Sequence, residues 1–161
     1  MRFSVRALTG QDADAVSGWR YPAPYDVYDA SEDPSFEQGM RDPERWGELE
    51  FAVDDAETGE LVGFLELTAS ADHESVEIGL GLRPDLTGRG LGPSYIEAAM
   101  AFARARWRPS TFVLDVFPWN ERAIRAYERA GFERGDIHVR RFPDGNEVTF
   151  LRMARPADPG A

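Results

Sequence analysis

The chain of 161 residues contains no cysteine. Disulfides, thiolate nucleophiles and cysteine-ligated metals are excluded together. This is compatible with a reducing compartment, and a cytoplasmic location is expected. Only two histidines are present. His73-Glu74 opens like a metalloprotease helix, but position 77, where the second histidine would stand, is Glu77, and His138 falls in another predicted strand. No metal is expected. Positive charge is also scarce: 18 basic against 29 acidic residues give a formal net charge of −11. Phosphate contacts supply most nucleic-acid affinity, and anionic lipid attracts basic segments, so neither nucleic acid nor membrane is an expected partner. An acidic field suits cationic small molecules or basic peptide ends, and equally serves solubility. Long apolar runs are missing too. Met1-Arg2-Phe3-Ser4-Val5-Arg6 has no signal-peptide core. Residues 96–105, the most apolar helical run, are broken by Glu97 and Arg104, whereas a bilayer span needs about 20 apolar residues.

What is present suffices for a core. Hydrophobic residues make up 42% of the chain, with 10 Phe, 4 Trp and 5 Tyr. The length fits one domain of roughly 100–200 residues, taken as 1–154, and the Pro-rich residues 155–161 are expected to form a flexible tail. A first strand is predicted over residues 3–8, with short helices over 11–19 and 34–40. Between the helices, two prolines and Trp19, Tyr21, Tyr25 and Tyr28 suggest an ordered loop. Strands are predicted over 48–53, 61–68 and 75–82, the first two joined by a turn at Thr58-Gly59. Gly79 and Gly81 lie inside the third, as at a bulge or a close ligand approach. A long helix over 91–107 places Leu91, Tyr95, Ala98, Ala99 and Phe102 on one face. Phe112, Leu114 and Val116 alternate in a buried strand. Asn120 is a good N-cap for a helix to Ala130, and Gly131 a good stop. Strands over 132–139 and 147–153 flank a Pro143-Asp144-Gly145-Asn146 turn. This order predicts an α/β (α+β) fold: a mixed, mostly antiparallel central sheet of about six to seven strands with helices on both faces.

Leu80-Gly81-Leu82-Arg83-Pro84-Asp85-Leu86-Thr87-Gly88-Arg89-Gly90-Leu91-Gly92 is the most informative segment. A strand ends, glycines follow at alternate positions, and a long helix begins. Glycines let backbone N–H groups approach a ligand, and a helix N-terminus offers unpaired donors and a positive dipole end. Together they suit a pyrophosphate, and Arg89 adds a cation. No Lys-Ser or Lys-Thr closes the loop, and Tyr95 stands where the dinucleotide fingerprint needs its last glycine; both rival motifs fail.

At this point the chain resembles the GNAT superfamily of acetyl-CoA-dependent N-acetyltransferases. Thr87-Gly88-Arg89-Gly90-Leu91-Gly92 lies in the register of the family's Gln/Arg-x-x-Gly-x-Gly/Ala loop. Asn120-Glu121-Arg122-Ala123-Ile124-Arg125-Ala126-Tyr127-Glu128-Arg129-Ala130-Gly131-Phe132 matches its second segment. The likeness covers residues 61–153 well and the N-terminal third by element order. Two departures stand out: Thr87 replaces the usual Gln or Arg, and Pro93 follows the last glycine without an N–H.

The resemblance implies a transferase that moves an acetyl group from acetyl-CoA to a primary amine by direct attack in a ternary complex. Leu80, Gly81, Leu82, Thr87, Gly88, Arg89, Gly90, Leu91, Gly92, Asn120 and Tyr127 would bind the cosubstrate, with Asn120 on the pantetheine arm. Tyr127 would protonate the departing sulfur. Glu77, on the strand leading to the loop, is the favoured base; Asp115, Glu66 or a water chain could serve instead. Trp19, Tyr21, Tyr25, Tyr28 and Asp29 are expected to line the acceptor pocket, because aromatic faces and carboxylates suit a cationic amine. The acceptor would be a small molecule or a peptide, and the protein a monomer or homodimer. A non-catalytic acyl-CoA sensor, a transferase of longer acyl chains, and an interaction domain built on the aromatic loop are the rival readings.

Overall fold

The computed structural model describes residues 1–158. Among them the chain forms seven strands and four α-helices. The strands are β1 (Phe3–Ala7), β2 (Glu50–Asp55), β3 (Leu61–Ala69), β4 (Ser75–Leu82), β5 (Thr111–Val116), β6 (Glu133–Arg141) and β7 (Glu147–Pro156). The helices are α1 (Gly10–Ser17), α2 (Pro34–Met40), α3 (Gly92–Trp107) and α4 (Glu121–Arg129). The sheet order is β1-β2-β3-β4-β5-β7-β6. The β1–β2, β2–β3, β5–β7 and β6–β7 pairs are antiparallel, and β4–β5 is parallel. The expected mixed, mostly antiparallel sheet of about seven strands is thus present.

By its internal contacts the chain divides into two compact units, one of Met1–Leu67 with Leu80–Leu91, the other of Thr68–Gly79 with the chain from Gly92 on. In the first unit, α1 starts at Thr9 with a capping box. Asp12 N–H donates to Thr9 Oγ1 (3.2 Å) and Thr9 N–H donates to Asp12 Oδ2 (2.9 Å), satisfying two helix-end donors reciprocally. Arg6 on β1 then grips Asp12 at 2.6 and 2.9 Å and Asp54 of β2 at 2.7 and 3.1 Å, so one guanidinium ties a strand, a helix and a second strand. Leu8, Ala13, Val16, Met40 and Ala52 form the core here, with Trp19, Phe36, Trp46, Leu61 and Phe64 packed against it.

In the second unit, Phe112, Leu114 and Val116 of β5 are buried as their alternation predicts. The buried face of α3 is Tyr95, Ile96, Ala99, Met100 and Ala103, turned from the expected one: Leu91 precedes the helix, and Ala98 and Phe102 are only half-buried. Ile96 and Met100 take the core positions instead. Helix α4 ends in a Schellman motif. Phe132 N–H donates to Tyr127 O and Gly131 N–H to Glu128 O, both at 3.0 Å, with Gly131 at φ +91°, as this cap requires.

Several boundaries differ from expectation. The bonds of Gly47 N–H and Leu8 N–H to the Glu50 carbonyl set the start of β2 at Glu50, not 48. Strand β6 runs on to Arg141. Strand β7 continues to Pro156 because it pairs with β5 as far as Pro156↔Thr111, and Ala157 is buried and bonded to Ser110 O at 2.9 Å. Residues 155–157 therefore belong to the fold rather than to a tail. The rest of the expected tail, 159–161, lies outside the described residues.

Phe64 of β3 lies over Gly81 of β4, where a Cβ would overlap its ring. Gly81→Ala should therefore destabilise the protein by about 1–3 kcal/mol through overpacking, read by urea unfolding. Adding Phe64→Leu should recover part of that loss, and a purely additive double variant would show that the two do not compete for space.

Candidate active site

Strand β4 pairs with β5 over Ser75–Glu77 against Thr111–Val113 and itself continues to Leu82. Its end is held by side chains. The Tyr21 hydroxyl donates to the Leu82 carbonyl at 2.7 Å. Burial, and after it the charge of Asp29, push the Tyr21 phenol up, which keeps it a donor. The Arg83 guanidinium is chelated by Asp85 at 2.6 and 3.1 Å and reaches Glu60 at 2.8 Å and the Leu61 carbonyl at 2.9 Å.

A 3₁₀ turn over Pro84–Leu86 follows, and the Thr87 hydroxyl donates to the Pro84 carbonyl at 2.8 Å. Thr87 therefore works as a turn lock rather than as a long polar arm. Gly88 and Gly90 sit at φ +73° and +76°, a region in which side chains are strained. A Cβ at Gly90 would meet nothing within 4 Å, so the demand there is on backbone angle alone. Gly92 opens α3, and a Cβ on it would stand 3.0 Å from Ala126 Cβ; here glycine allows close approach of α4. Arg89 is exposed. The segment thus delivers a glycine-shaped loop into the first turn of a 16-residue helix, with the amide donors and dipole end that favour an anion.

Asn120 is 5% exposed and caps α4, its Oδ1 accepting from Ala123 N–H at 3.2 Å. Tyr127 occupies the third position from the end of that helix and meets Phe132 edge-on, ring centroids 6.1 Å apart. This is the apolar contact that accompanies a Schellman cap. The spacing Asn120…Tyr127…Gly131-Phe132 is therefore also the capping pattern of a short helix.

The three candidate bases occupy different surroundings. Asp115 is fully engaged: Arg152 chelates it at 3.0 and 3.0 Å, His138 Nε2 lies 2.8 Å from Oδ1, and Arg140 reaches Oδ2 at 3.3 Å. Burial pushes the Asp115 carboxyl up, but Arg152 and His138 outweigh it and hold it below its usual range. Glu77 shares these cations through Oε1, at 3.1 Å from Arg152 and 3.5 Å from Arg140. Its Oε2 makes no hydrogen bond among the described residues. Glu66 is tied elsewhere, to Arg45 at 3.6 Å.

Sequence reasoning missed Glu50. It lies directly across the β2–β3 pair from Glu66, is 1% exposed, and accepts from Arg45 at 2.9 Å. Burial, and then the charge of Glu66, push its carboxyl up to about 7 against the pull of Arg45. The predicted hairpin held the signal, since Glu50 shares its strand face with the buried Ala52.

The aromatic loop is ordered by Asp29, which is 8% exposed and accepts from Tyr21 N–H at 2.9 Å. Asp29 thus fastens the loop instead of presenting a charge. Trp19 packs on Phe64, ring centroids 6.3 Å apart. Tyr25 is half-buried, while Tyr28 and Asp26 are exposed. Among the described residues, no group of three or more His, Asp or Glu could hold a metal ion, and no helix is long and apolar enough to cross a membrane.

The family model described as Acetyltransferase (GNAT) family matches residues 14–132. No curated protein matches the chain. Among solved structures, the aminoglycoside acetyltransferase AAC(6')-Ib in complex with coenzyme A is 20% identical with a TM-score of 0.72, over 96% of this chain and 94% of that one. A GNAT-family acetyltransferase from Bacillus anthracis is 19% identical with a TM-score of 0.72, over 98% and 96%. The spermidine N-acetyltransferase from Vibrio cholerae in complex with CoA and spermine is 23% identical with a TM-score of 0.67, over 97% and 96%.

Glu50 generates a pH prediction. Its folded pKa, about 7, lies above its ordinary value of 4.5, so folding takes up a proton and stability falls as pH rises from about 4.5 through about 7. Asp12 and Asp115, held low, act below that window, where stability is lost as pH falls. Urea unfolding should show the wild type losing about 1–3 kcal/mol between pH 5 and pH 8, and Glu50→Gln should flatten that slope. An unchanged slope would assign it to other groups.

Proposed function

The chain belongs to the acetyltransferase (GNAT) family, and from that premise we propose that it transfers an acetyl group from acetyl-CoA to a primary amine attacking directly in a ternary complex. The observation that carries the reading is the run from β4 through Gly88 and Gly90, both at positive φ, into the N-terminus of α3. Backbone amides of residues 88–92 would take the pyrophosphate, and the β4 backbone at Leu80, Gly81 and Leu82 the pantetheine arm, with Asn120 alongside. Acetyl-CoA supplies the activated thioester. The protein's part is to hold amine and thioester in line, to help the amine lose its proton and to protonate the departing sulfur. Tyr127 is proposed for the last task. Glu77 assists the first through its open Oε2, directly or through water.

The acceptor is proposed to be a cationic amine received by the loop carrying Trp19, Tyr21, Tyr25 and Tyr28, with Asp26 as the exposed acid and Asp29 shaping the loop through Tyr21. Relatives of this fold are named for spermidine and aminoglycosides, both polyamines, and the net charge of −11 favours such a substrate. A protein that turns acetyl-CoA over should sit where that cosubstrate and amines are made, and a cytoplasmic location is proposed with it.

Two variants and the wild type test this reading. Gly90→Val forces a side chain onto a positive φ without touching a neighbour, and should weaken CoA binding at least about tenfold by calorimetry; unchanged affinity removes the loop from the cosubstrate site. Tyr127→Phe keeps the ring against Phe132, so stability and CoA affinity should hold while release of free CoA with an amine panel slows by about 10²–10⁴-fold. A normal turnover number under conditions where chemistry limits the rate removes Tyr127 from the mechanism. Wild-type protein that binds acetyl-CoA but never releases CoA with any amine is a sensor instead.

A further inference from the structure

The second unit holds a His–Asp pair that the roles above leave unused. His138 lies on β6 opposite Phe150 of β7, and its ring centroid is 6.3 Å from that of Phe150. Its Nε2 stands 2.8 Å from Asp115 Oδ1 on β5. The Asp115 side chain is 5% exposed and that of His138 33%. An ionised carboxylate only accepts hydrogen bonds, so the neutral imidazole carries its proton on Nε2 and donates it to Asp115. The second ring nitrogen, Nδ1, then bears a lone pair, and among the described residues it makes no hydrogen bond. The charged groups linked to the ring are Asp115 on β5, which it contacts directly, and through Asp115 Arg152 on β7 and Arg140 on β6 itself, both of which also reach Glu77 on β4. Arg152 fixes Asp115 with two hydrogen bonds at 3.0 Å, so the carboxylate that orients the imidazole cannot swing away. The same Arg152 touches Glu77 at 3.1 Å, which places the pair and Glu77 around one guanidinium.

We propose that His138, held by Asp115, is the base that removes the amine's proton. The inference rests on the acetyl-transfer reading. An ammonium group hydrogen-bonded to Glu77 Oε2, directly or through water, gives one proton to His138 Nδ1. The freed lone pair on nitrogen forms the C–N bond to the thioester carbonyl carbon, and the C–S bond breaks with its electron pair going to sulfur. Sulfur takes a proton from Tyr127, which regains one from the acylated nitrogen. The imidazolium releases its proton to solvent. Asp115 is a positioning residue, since both its oxygens are occupied. Imidazole suits the task because its ordinary titration lies nearest neutral pH, and a base is most effective near the working pH.

The test is the pH profile of acetyl transfer with spermidine, an aminoglycoside and a peptide with a free N-terminus as acceptors. His138→Gln keeps an N–H that can reach Asp115 while removing the base; His138→Asn is the second variant if the first does not fold. The wild-type kcat/KM should rise with pH through a single ionisation and then level. The variant should lose about 10²-fold at pH 7, and its rate should climb steadily toward the acceptor amine's own pKa, near ~10 for an alkyl amine and near ~8 for a peptide N-terminus, with acetyl-CoA affinity by calorimetry unchanged. Asp115→Asn should lower the rate yet keep the ionisation. Variant and wild-type profiles of the same shape would overturn the proposal even if the variant is less stable, as would a Glu77→Gln variant that alone loses the low-pH limb. Wild-type protein that binds acetyl-CoA but transfers to none of the three amines overturns the acetyl-transfer reading, and this proposal with it.

Discussion

The ring of Phe64 occupies the space that a side chain at Gly81 would need, and that contact presses on the strand end from which the glycine loop departs. A strand end that leads into a glycine loop would fray if only its ladder held it. Here β4 is pressed by Phe64 at Gly81, bonded by the Tyr21 hydroxyl at Leu82, and clamped at Arg83 by Asp85 and Glu60. Three successive residues are each fixed by a different part of the unit. The loop that follows can then spend positive φ at Gly88 and Gly90 without passing that freedom back into the strand. Phe64 in turn touches Trp19 and Phe36, so the aromatic loop and the end of β4 share one support.

Charge is organised by the same economy of anchors. The chain has no lysine, so all 18 basic residues are arginine. A guanidinium can chelate a carboxylate and still reach a second one, which an ammonium does with less geometric control. Arg6 spans Asp12 and Asp54, Arg83 spans Asp85 and Glu60, and Arg152 spans Asp115 and Glu77. With 29 acidic residues, such sharing limits repulsion where carboxylates crowd. Where it falls short, the surplus appears as a raised carboxyl: Arg45 cannot fully neutralise both Glu50 and Glu66, and the buried member of the pair holds its proton more tightly.

Much of the fold was legible in the sequence. The element order, the ends of α2 and β4, and the alternation of β5 were readable because each is decided locally, by a cap, a period or a turn. What was missed depends on partners distant in sequence. The face of α3 was misread because Ala98 and Phe102 fit the helical period as well as Ile96 and Met100 do, and only the packed core decides between them. The extra length of β7 comes from its pairing with β5, which overrides the proline at 156. Glu50 looked like any strand-end acid until register placed Glu66 opposite it.

The candidate site divides along the same line, for a reason rooted in its materials. A cosubstrate site made of backbone amides must be written in glycines and a helix start, because those alone shape bare backbone; hence a short, spaced signature survives and can be read. An acceptor surface made of side chains carries no such obligation. Asp29 illustrates this: its type and place suggested a charge offered to an amine, yet its carboxylate is turned inward on Tyr21 N–H, eight positions back along the chain. The second family segment warns in the other direction. Asn120, Tyr127, Gly131 and Phe132 would be kept in this order by the N-cap and Schellman cap of α4 alone, so their spacing marks a well-ended helix before it marks chemistry. A chemical role for Tyr127 must come from its hydroxyl, the one part of the side chain that the cap does not require.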